Sequence, residues 1–405
     1  MKIGLNCLAT APGYRGGVNS FTFGLLDGLA QSRRPHEFII FASPQSRPMF
    51  ESYLNHSNFL IVEVNAPGRE AVRSFFHKVP APLRLLRRWF PLRSLNTVLN
   101  GESERILEEH ADLFYAPYCP PPVFPFPNKP TVYSIHDIQH VHYPEFFTAE
   151  QIQIRKEAFH NCTQHAALIQ ASSEQMRDDF LANFPVLTPE KVVVIQEGVK
   201  VETFRARKPG LDVRKKYNLP SQFMYFPAQL WHHKNHITVL KAIARLKEKG
   251  VNTPLVMSGA RYEGSERLFE FIEAQGLKDR VFYLDVIPFE DVIALHQGAK
   301  FLITAVLYES SSIPILEAAA AGTPIIASQT PANLERARDL KLNLFPPKDD
   351  AALADLLERV WHDEALITAQ VRHNSSAIER FDWPHIAEDY LDAFERLMAR
   401  KAQKR

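Results

Sequence analysis

At 405 residues the chain exceeds the size at which one hydrophobic core usually keeps growing, so two domains are expected. Hydrophobic residues make up 45% and charged residues 23%, an ordinary globular composition, and a net charge of +1 gives no global attraction for nucleic acid. The cysteines Cys7, Cys119 and Cys162 are widely spaced and form no Cys-x-x-Cys pair. That argues against a disulfide framework or structural zinc and suits a reducing, cytoplasmic compartment.

Strand and helix signals alternate along the chain, the pattern of parallel sheets joined by crossover helices. The N-terminal Met-Lys-Ile-Gly-Leu-Asn-Cys-Leu reads as a strand, because its apolar run is too short for a signal peptide. No uncharged apolar stretch approaches the ~20 residues of a membrane span. Further strands are expected at Phe38–Ala42, Leu60–Val64, Leu113–Ala116, Val132–Ile135, Leu168–Ala171 and Val192–Ile195, with helices at Val18–Ala30, Ala149–His165 and Glu174–Leu181.

Three places in this half invite a functional reading. Tyr14-Arg15-Gly16-Gly17-Val18-Asn19 opens the first helix, and its glycines permit close approach of backbone to a phosphate or sugar. Residues 71–101 hold no Asp or Glu, while Arg73, Lys78, Arg84, Arg87, Arg88 and Arg93 lie among Phe, Leu and Trp side chains. Such a stretch suits an anionic membrane surface, or equally a basic helix packed on its own domain. Between Pro117 and Pro130, seven prolines in fourteen residues predict an irregular loop, after which Ser134-Ile135-His136-Asp137 leaves a strand. A histidine at that edge can face a cleft between domains.

Thr203–Leu219, polar and basic without a clear period, reads as the linker. A second alternating unit follows: strands at Phe223–Pro227, Leu255–Ser258, Val281–Leu284 and Phe301–Ala305, with helices at Ile237–Lys249, Arg267–Ala274 and around Glu290–Gln297. After the first of these strands comes Ala-Gln-Leu-Trp-His-His-Lys-Asn-His, residues 228–236. Lys234 there can neutralise a diphosphate as a point charge. His232, His233 and His236 lack the one-face spacing of a helical metal-binding pair.

Residues 308–328 carry the strongest signal. Ser310, Ser311 and Ser312 are N-cap candidates, Pro314 suits a first helical turn, and Gly322 can end the helix before a buried strand at Pro324-Ile-Ile-Ala. The helix N-terminus attracts a phosphate. Glu309 and Glu317 flank it, placed to accept hydrogen bonds from hydroxyl groups on either side of a diphosphate. A nucleotide sugar has that shape. The reading requires this helix end, near Ile313, to face the gap between the two domains and not to be buried against protein. Trp383–Met398 is an amphipathic C-terminal helix.

The spacing of Glu309 and Glu317, with the serine turn and the apolar helix-to-strand context, resembles the paired-glutamate motif of the family 4 retaining glycosyltransferases. That resemblance implies a GT-B fold, with two Rossmann-like α/β domains facing a cleft. It implies boundaries near 1–205 for an acceptor-side domain, 206–380 for a nucleotide-sugar domain and 381–405 for a helix crossing back. By position, Glu309 contacts the transferred sugar, Glu317 holds the ribose, Lys234 and the N–H groups of Ser311, Ser312 and Ile313 meet the diphosphate, and Gly16 and Gly17 lie near its phosphates. His136 takes the place of a family histidine that bonds the sugar. Catalysis would then rest on His136, Glu309 and Lys234, without a metal ion or other cofactor. Two departures matter: Ser310-Ser311-Ser312 replaces a glycine-containing turn, and Gln229 occupies a usual arginine position unless His232 or His233 has taken over that charge.

The implied activity is transfer of a hexose, mannose from GDP-mannose first, from a nucleoside-diphosphate sugar to a glycan or lipid-linked acceptor in polysaccharide assembly such as lipopolysaccharide. Retention implies front-face attack in which the leaving phosphate accepts the acceptor's proton. The location implied is cytoplasmic, with peripheral membrane contact through 71–101. Rival readings are a sugar-nucleotide epimerase or hydrolase of the same fold, and a silent subunit that stabilises a partner.

Overall fold

The computed structural model describes residues 1–8, 10, 17–64, 108–119, 129–262 and 264–403. Gly16, the basic segment 71–101 and most of the proline-rich stretch lie outside the described residues.

Two fully parallel sheets organise the chain. The first takes strands β1 (Lys2–Asn6), β2 (Glu37–Ala42), β3 (Phe59–Glu63), β4 (Leu113–Ala116), β5 (Thr131–Ser134), β6 (Leu168–Ala171) and β7 (Val192–Val194), in the spatial order β3-β2-β1-β4-β5-β6-β7. The second takes β8 (Met224–Pro227), β9 (Leu255–Ser258), β10 (Val281–Tyr283), β11 (Phe301–Thr304), β12 (Ile325–Ser328) and β13 (Asn343–Phe345), ordered β10-β9-β8-β11-β12-β13. The strands are short, continuous apolar runs because helices cover both faces of each sheet. In β4, β9 and β11 every residue is buried. This is the two-domain Rossmann-like α/β architecture that the alternation implies.

Strand order reverses between β1 and β4 in one sheet and between β8 and β11 in the other. At such a switch point neighbouring crossovers leave on opposite faces and open a crevice at the carboxyl ends of the strands. Helices that matter for that crevice are α1 (Gly17–Gln31), α2 (Glu174–Asn183), α3 (His236–Glu248), α4 (Phe289–Gly298), α5 (Ile313–Ala321), α6 (Pro331–Arg336) and α7 (Trp383–Gln403).

The expected linker is more structured than its sequence implies. Val201–Arg205 and Val213–Lys216 are short helices that bury Val201, Phe204 and Val213. Their apolar residues are too few to show a period, yet each plugs a neighbouring core. Residues 331–377 add α6, β13 and helices at Asp350–Val360 and Glu364–Ala377, none anticipated above.

α7 packs on α1 and shares its apolar stripe (Trp383, Ile386, Tyr390, Leu391, Phe394) with the core of the first sheet. Trp383 fits because Gly24 and Gly28 face it. A Cβ on Gly24 would lie 2.1 Å from Trp383 Nε1, and one on Gly28 2.4 Å from its carbonyl oxygen. No helix among the described residues is long and apolar enough to cross a membrane.

Candidate functional site

Both strands beside the second switch point, β8 and β11, run into a loop that carries a candidate residue. After β8 the chain makes a 3-10 turn, His232–Lys234, closed by Asn235 in the left-handed region (φ 57°, ψ 40°). Asn235 Nδ2 donates to the carbonyls of Ala305 (2.9 Å) and Pro347 (2.6 Å), and the amide of Leu307 donates to His233 O at 2.8 Å. These bonds tie the loop after β8 to the loop after β11. Lys234 Nζ then meets Glu309 Oε1 at 2.7 Å, with the lysine side chain 20% and the glutamate 13% exposed. The other oxygen, Glu309 Oε2, is buried without a hydrogen-bond partner.

α5 follows the serine turn with Pro314 in its first turn, and Gly322 ends it at φ 75°, as its sequence implies. Ser312 occupies the N-cap position but accepts no capping hydrogen bond, and its buried Oγ has no partner. The expected side-chain cap from Ser312 is therefore not formed; Pro314 has no N–H, and the amide of Ile315 donates to the Ser312 carbonyl at 3.1 Å. The turn is more enclosed than expected. Ser310, Ser311 and Ser312 are buried, while Glu309, Ile313, Pro314 and Glu317 are half-buried.

What encloses the turn comes largely from the first domain. Ser172 Oγ donates to Ser310 O at 3.3 Å, and Tyr143 OH donates to Leu307 O at 3.2 Å. Tyr308 stacks on His142 with ring centroids 5.1 Å apart, and Phe146 stacks on His232. The serine turn thus sits at the junction of the two domains. A further tie joins the domains beside it. Glu335, in α6, accepts from the amides of Glu174 (2.9 Å) and Gln175 (3.2 Å) at the start of α2. A carboxylate there satisfies two free amides and matches the helix dipole.

Glu317 lies one turn into α5, half-buried, with one oxygen 3.5 Å from Nε2 of the fully buried His296 in α4. The His296 ring meets Tyr225 and Phe204 edge-on at 5.1 and 5.7 Å. Glu317 thus lies against a buried imidazole, apart from the Lys234–Glu309 pair.

His136 follows β5 and leans on Phe21 of α1, with ring centroids 4.8 Å apart. Its Nε2 donates to Pro117 O at 2.7 Å, and its Nδ1 lies 3.4 Å from Glu197 Oε1. Both partners favour a proton on the nitrogen that faces them. Burial lowers the imidazole pKa, but Glu197 and the Pro117 carbonyl outweigh it and the pKa is raised. Asp137 orients its loop, accepting from Gln139 N and Arg155 Nη1, each at 3.0 Å. Gly17 is the first residue of α1, with open space where a Cβ would stand, while Gly16 lies outside the described residues.

The histidines after β8 do not take over a lost positive charge together. Burial, then the charge of Lys234, pushes His233 down to about 3, so it is neutral near pH 7. His236 is buried, stacks on Phe226 at 4.1 Å and is likewise pushed down to about 3.

Sequence reasoning missed Glu197, His296, Glu335 and Arg336. Arg336 is 5% exposed; its Nη2 donates to Ser311 Oγ at 3.3 Å and its Nη1 to Gln196 Oε1 at 3.5 Å. The available signal was an Arg beside a Glu just after a buried strand, which is too common to single out.

Comparison with known proteins follows this geometry. Residues 15–203 match the family described as Glycosyltransferase Family 4, and residues 212–378 the family described as Glycosyl transferases group 1. The chain is 24% identical over 387 residues to the O-antigen chain mannosyltransferase B of Escherichia coli, covering 94% of this chain and 96% of that protein. HepE of Anabaena, solved with UDP and glucose, superposes with a TM-score of 0.69 at 19% identity, covering 98% of this chain and all of that one. Sucrose-phosphate synthase of Thermosynechococcus elongatus superposes with a TM-score of 0.72 at 19% identity, covering 98% and 99%. With one match over each sheet and GT-B enzymes as structural neighbours, the chain belongs to the GT-B glycosyltransferases of family 4 and group 1.

Proposed function

We propose that this glycosyltransferase moves a hexose, mannose from GDP-mannose first, onto a glycan or lipid-linked saccharide during polysaccharide assembly, with retention of configuration. In this reading residues 1–205 face the acceptor, 206–380 hold the nucleotide sugar and 381–405 brace the two. The observation that carries it is the Lys234–Glu309 pair at the second switch point, beside the amino end of α5. A cation, the N–H groups of the turn that leads into α5 and a half-satisfied carboxylate together suit a diphosphate joined to a sugar. The mannose assignment draws on the E. coli relative named as an O-antigen mannosyltransferase.

The sugar C1–O bond to the β-phosphate breaks as the acceptor oxygen bonds to C1 on the same face. The acceptor's proton passes to the departing phosphate oxygen, so no separate protein base is required. Negative charge grows on the diphosphate, and Lys234 with the amides of Ser311, Ser312 and Ile313 stabilises it. Glu309 accepts from sugar hydroxyls with the oxygen that has no protein partner. Glu317 accepts from the ribose. His136 donates to a sugar hydroxyl in place of the Pro117 carbonyl, its charge offset by Glu197. Gly16 and Gly17 border the phosphates, and the basic segment 71–101 brings the enzyme to an anionic membrane face.

A thermal-shift panel of GDP, UDP, ADP and dTDP tests the reading, followed by transfer assays with the matching sugar nucleotide. Stabilisation by one diphosphate, lost in Lys234→Ala, is the expected result. A melting curve unmoved by all four would remove the assignment.

A further inference from the structure

We propose that Arg336 is a positioning residue for the leaving group. It supplies a second fixed positive charge behind the diphosphate seat and acts through the Ser311 hydroxyl. This rests on the function proposed above and adds a residue to it.

The first observation is the state of the guanidinium. It is 5% exposed, and among the described residues no carboxylate oxygen lies within 4.0 Å of its nitrogens. Its contacts are two long bonds to neutral oxygens, Ser311 Oγ at 3.3 Å and Gln196 Oε1 at 3.5 Å, and the Phe381 ring, 4.6 Å away. Burying a cation without a tight counter-ion is costly, and an apolar residue would pack there more cheaply. Burial lowers its pKa to about 10, with the more distant charges of Glu197, Asp339 and Glu335 offsetting part of the drop, so the group stays charged at neutral pH.

The second observation is where that charge is delivered. A serine hydroxyl has one donor and two acceptor sites. Arg336 fills an acceptor site of Ser311, which leaves the Ser311 proton to donate elsewhere and strengthens it as a donor. Ser311 is 8% exposed and next to Ser312, whose Oγ is buried without a partner at the start of α5. A chain from guanidinium to hydroxyl to phosphate oxygen follows.

The third is the charge around it. Gln229, in the loop after β8, is neutral, and its Oε1 accepts from Trp231 Nε1 at 2.7 Å. His233 is neutral near pH 7, and Lys234 is paired with Glu309. Arg336, reaching the turn from α6, adds a positive charge whose contact is Ser311.

The test compares full-length wild type, Arg336→Lys, Arg336→Met and Ser311→Ala, each checked for folding by thermal melt. Calorimetry follows with GDP, UDP, GMP and UMP. Arg336→Met should bind the preferred diphosphate roughly 10–100-fold more weakly, as expected for loss of one aimed donor, with a smaller loss for the monophosphate. Arg336→Lys should recover part of that difference. A folded Arg336→Met with wild-type diphosphate affinity overturns the inference, as do equal losses for both ligands without rescue by lysine. If Arg336→Met does not fold, Ser311→Ala decides: a several-fold selective loss supports the relay and unchanged affinity overturns it. Wild type binding neither GDP nor UDP overturns the proposed function, and this inference with it.

Discussion

Lys234 and Glu309 lie 75 residues apart in sequence, yet Nζ and Oε1 meet at 2.7 Å because β8 and β11 are neighbours in the sheet. The site therefore presents its principal cation already paired with a carboxylate. A diphosphate must compete with Glu309 for that lysine. Glu309→Gln should leave nucleoside-diphosphate affinity equal or higher while transfer slows by about 100-fold, because a sugar contact is lost and an anion competitor removed. Lys234→Ala should lower both. Titration of the diphosphate alongside initial rates checks the split, and a Glu309→Gln protein that transfers normally would contradict it.

Glu317 lies beside His296 and is not paired with the lysine, so its effect should be separable. Glu317→Ala should weaken the diphosphate by about 1.5–3 kcal/mol, the range for a hydrogen bond to a charged group. The same change should erase discrimination between ribo- and 2′,3′-dideoxy-nucleoside diphosphates, with turnover at saturating donor little changed. Competition assays with the paired analogues read this directly.

His136 sets a pH dependence. Its folded pKa lies above the ordinary 6.5, because Glu197 and the Pro117 carbonyl outweigh burial. The sign follows: the stability this pair contributes is complete below the unfolded pKa and fades as pH rises through the raised folded value. Glu197→Gln removes the main opposing influence and leaves burial dominant, so the His136 pKa should fall below 6.5. NMR titration of the His136 ring measures the shift, and the alkaline limb of the rate profile should move the same way.

Gly24 lets α7 dock. Gly24→Ala would place a methyl against Trp383 Nε1, which the rigid indole cannot yield to without backbone movement. A loss of about 1–3 kcal/mol is expected from such overpacking, read from the denaturant midpoint. Gly17→Ala, where a Cβ meets open space, should leave the midpoint unchanged.

The parts of the fold legible in sequence are those written locally. Ile325–Ser328 is a continuous apolar run after Gly322 and Pro324, so helix end and strand start can be read from neighbours alone. Glu309, Glu317 and Lys234 could be nominated as candidates because the strand-to-helix segments that carry them have their own punctuation. Arg336 and Glu335 were not, because what they bind comes from Ser311, Gln196 and the start of α2, up to 161 residues away. His296 looks like any helix residue until Glu317 is folded against it. Ser312 shows the opposite failure: its residue type suits a cap, but the turn directs the hydroxyl elsewhere.

Glu335 gives α2 an unusual dependence. A helix whose first amides are satisfied by a side chain from the other lobe is incompletely finished whenever the lobes part, and water must take over until they return. Because those amides donate to a carboxylate at one spot only, the contact also works as a dowel that registers one lobe against the other.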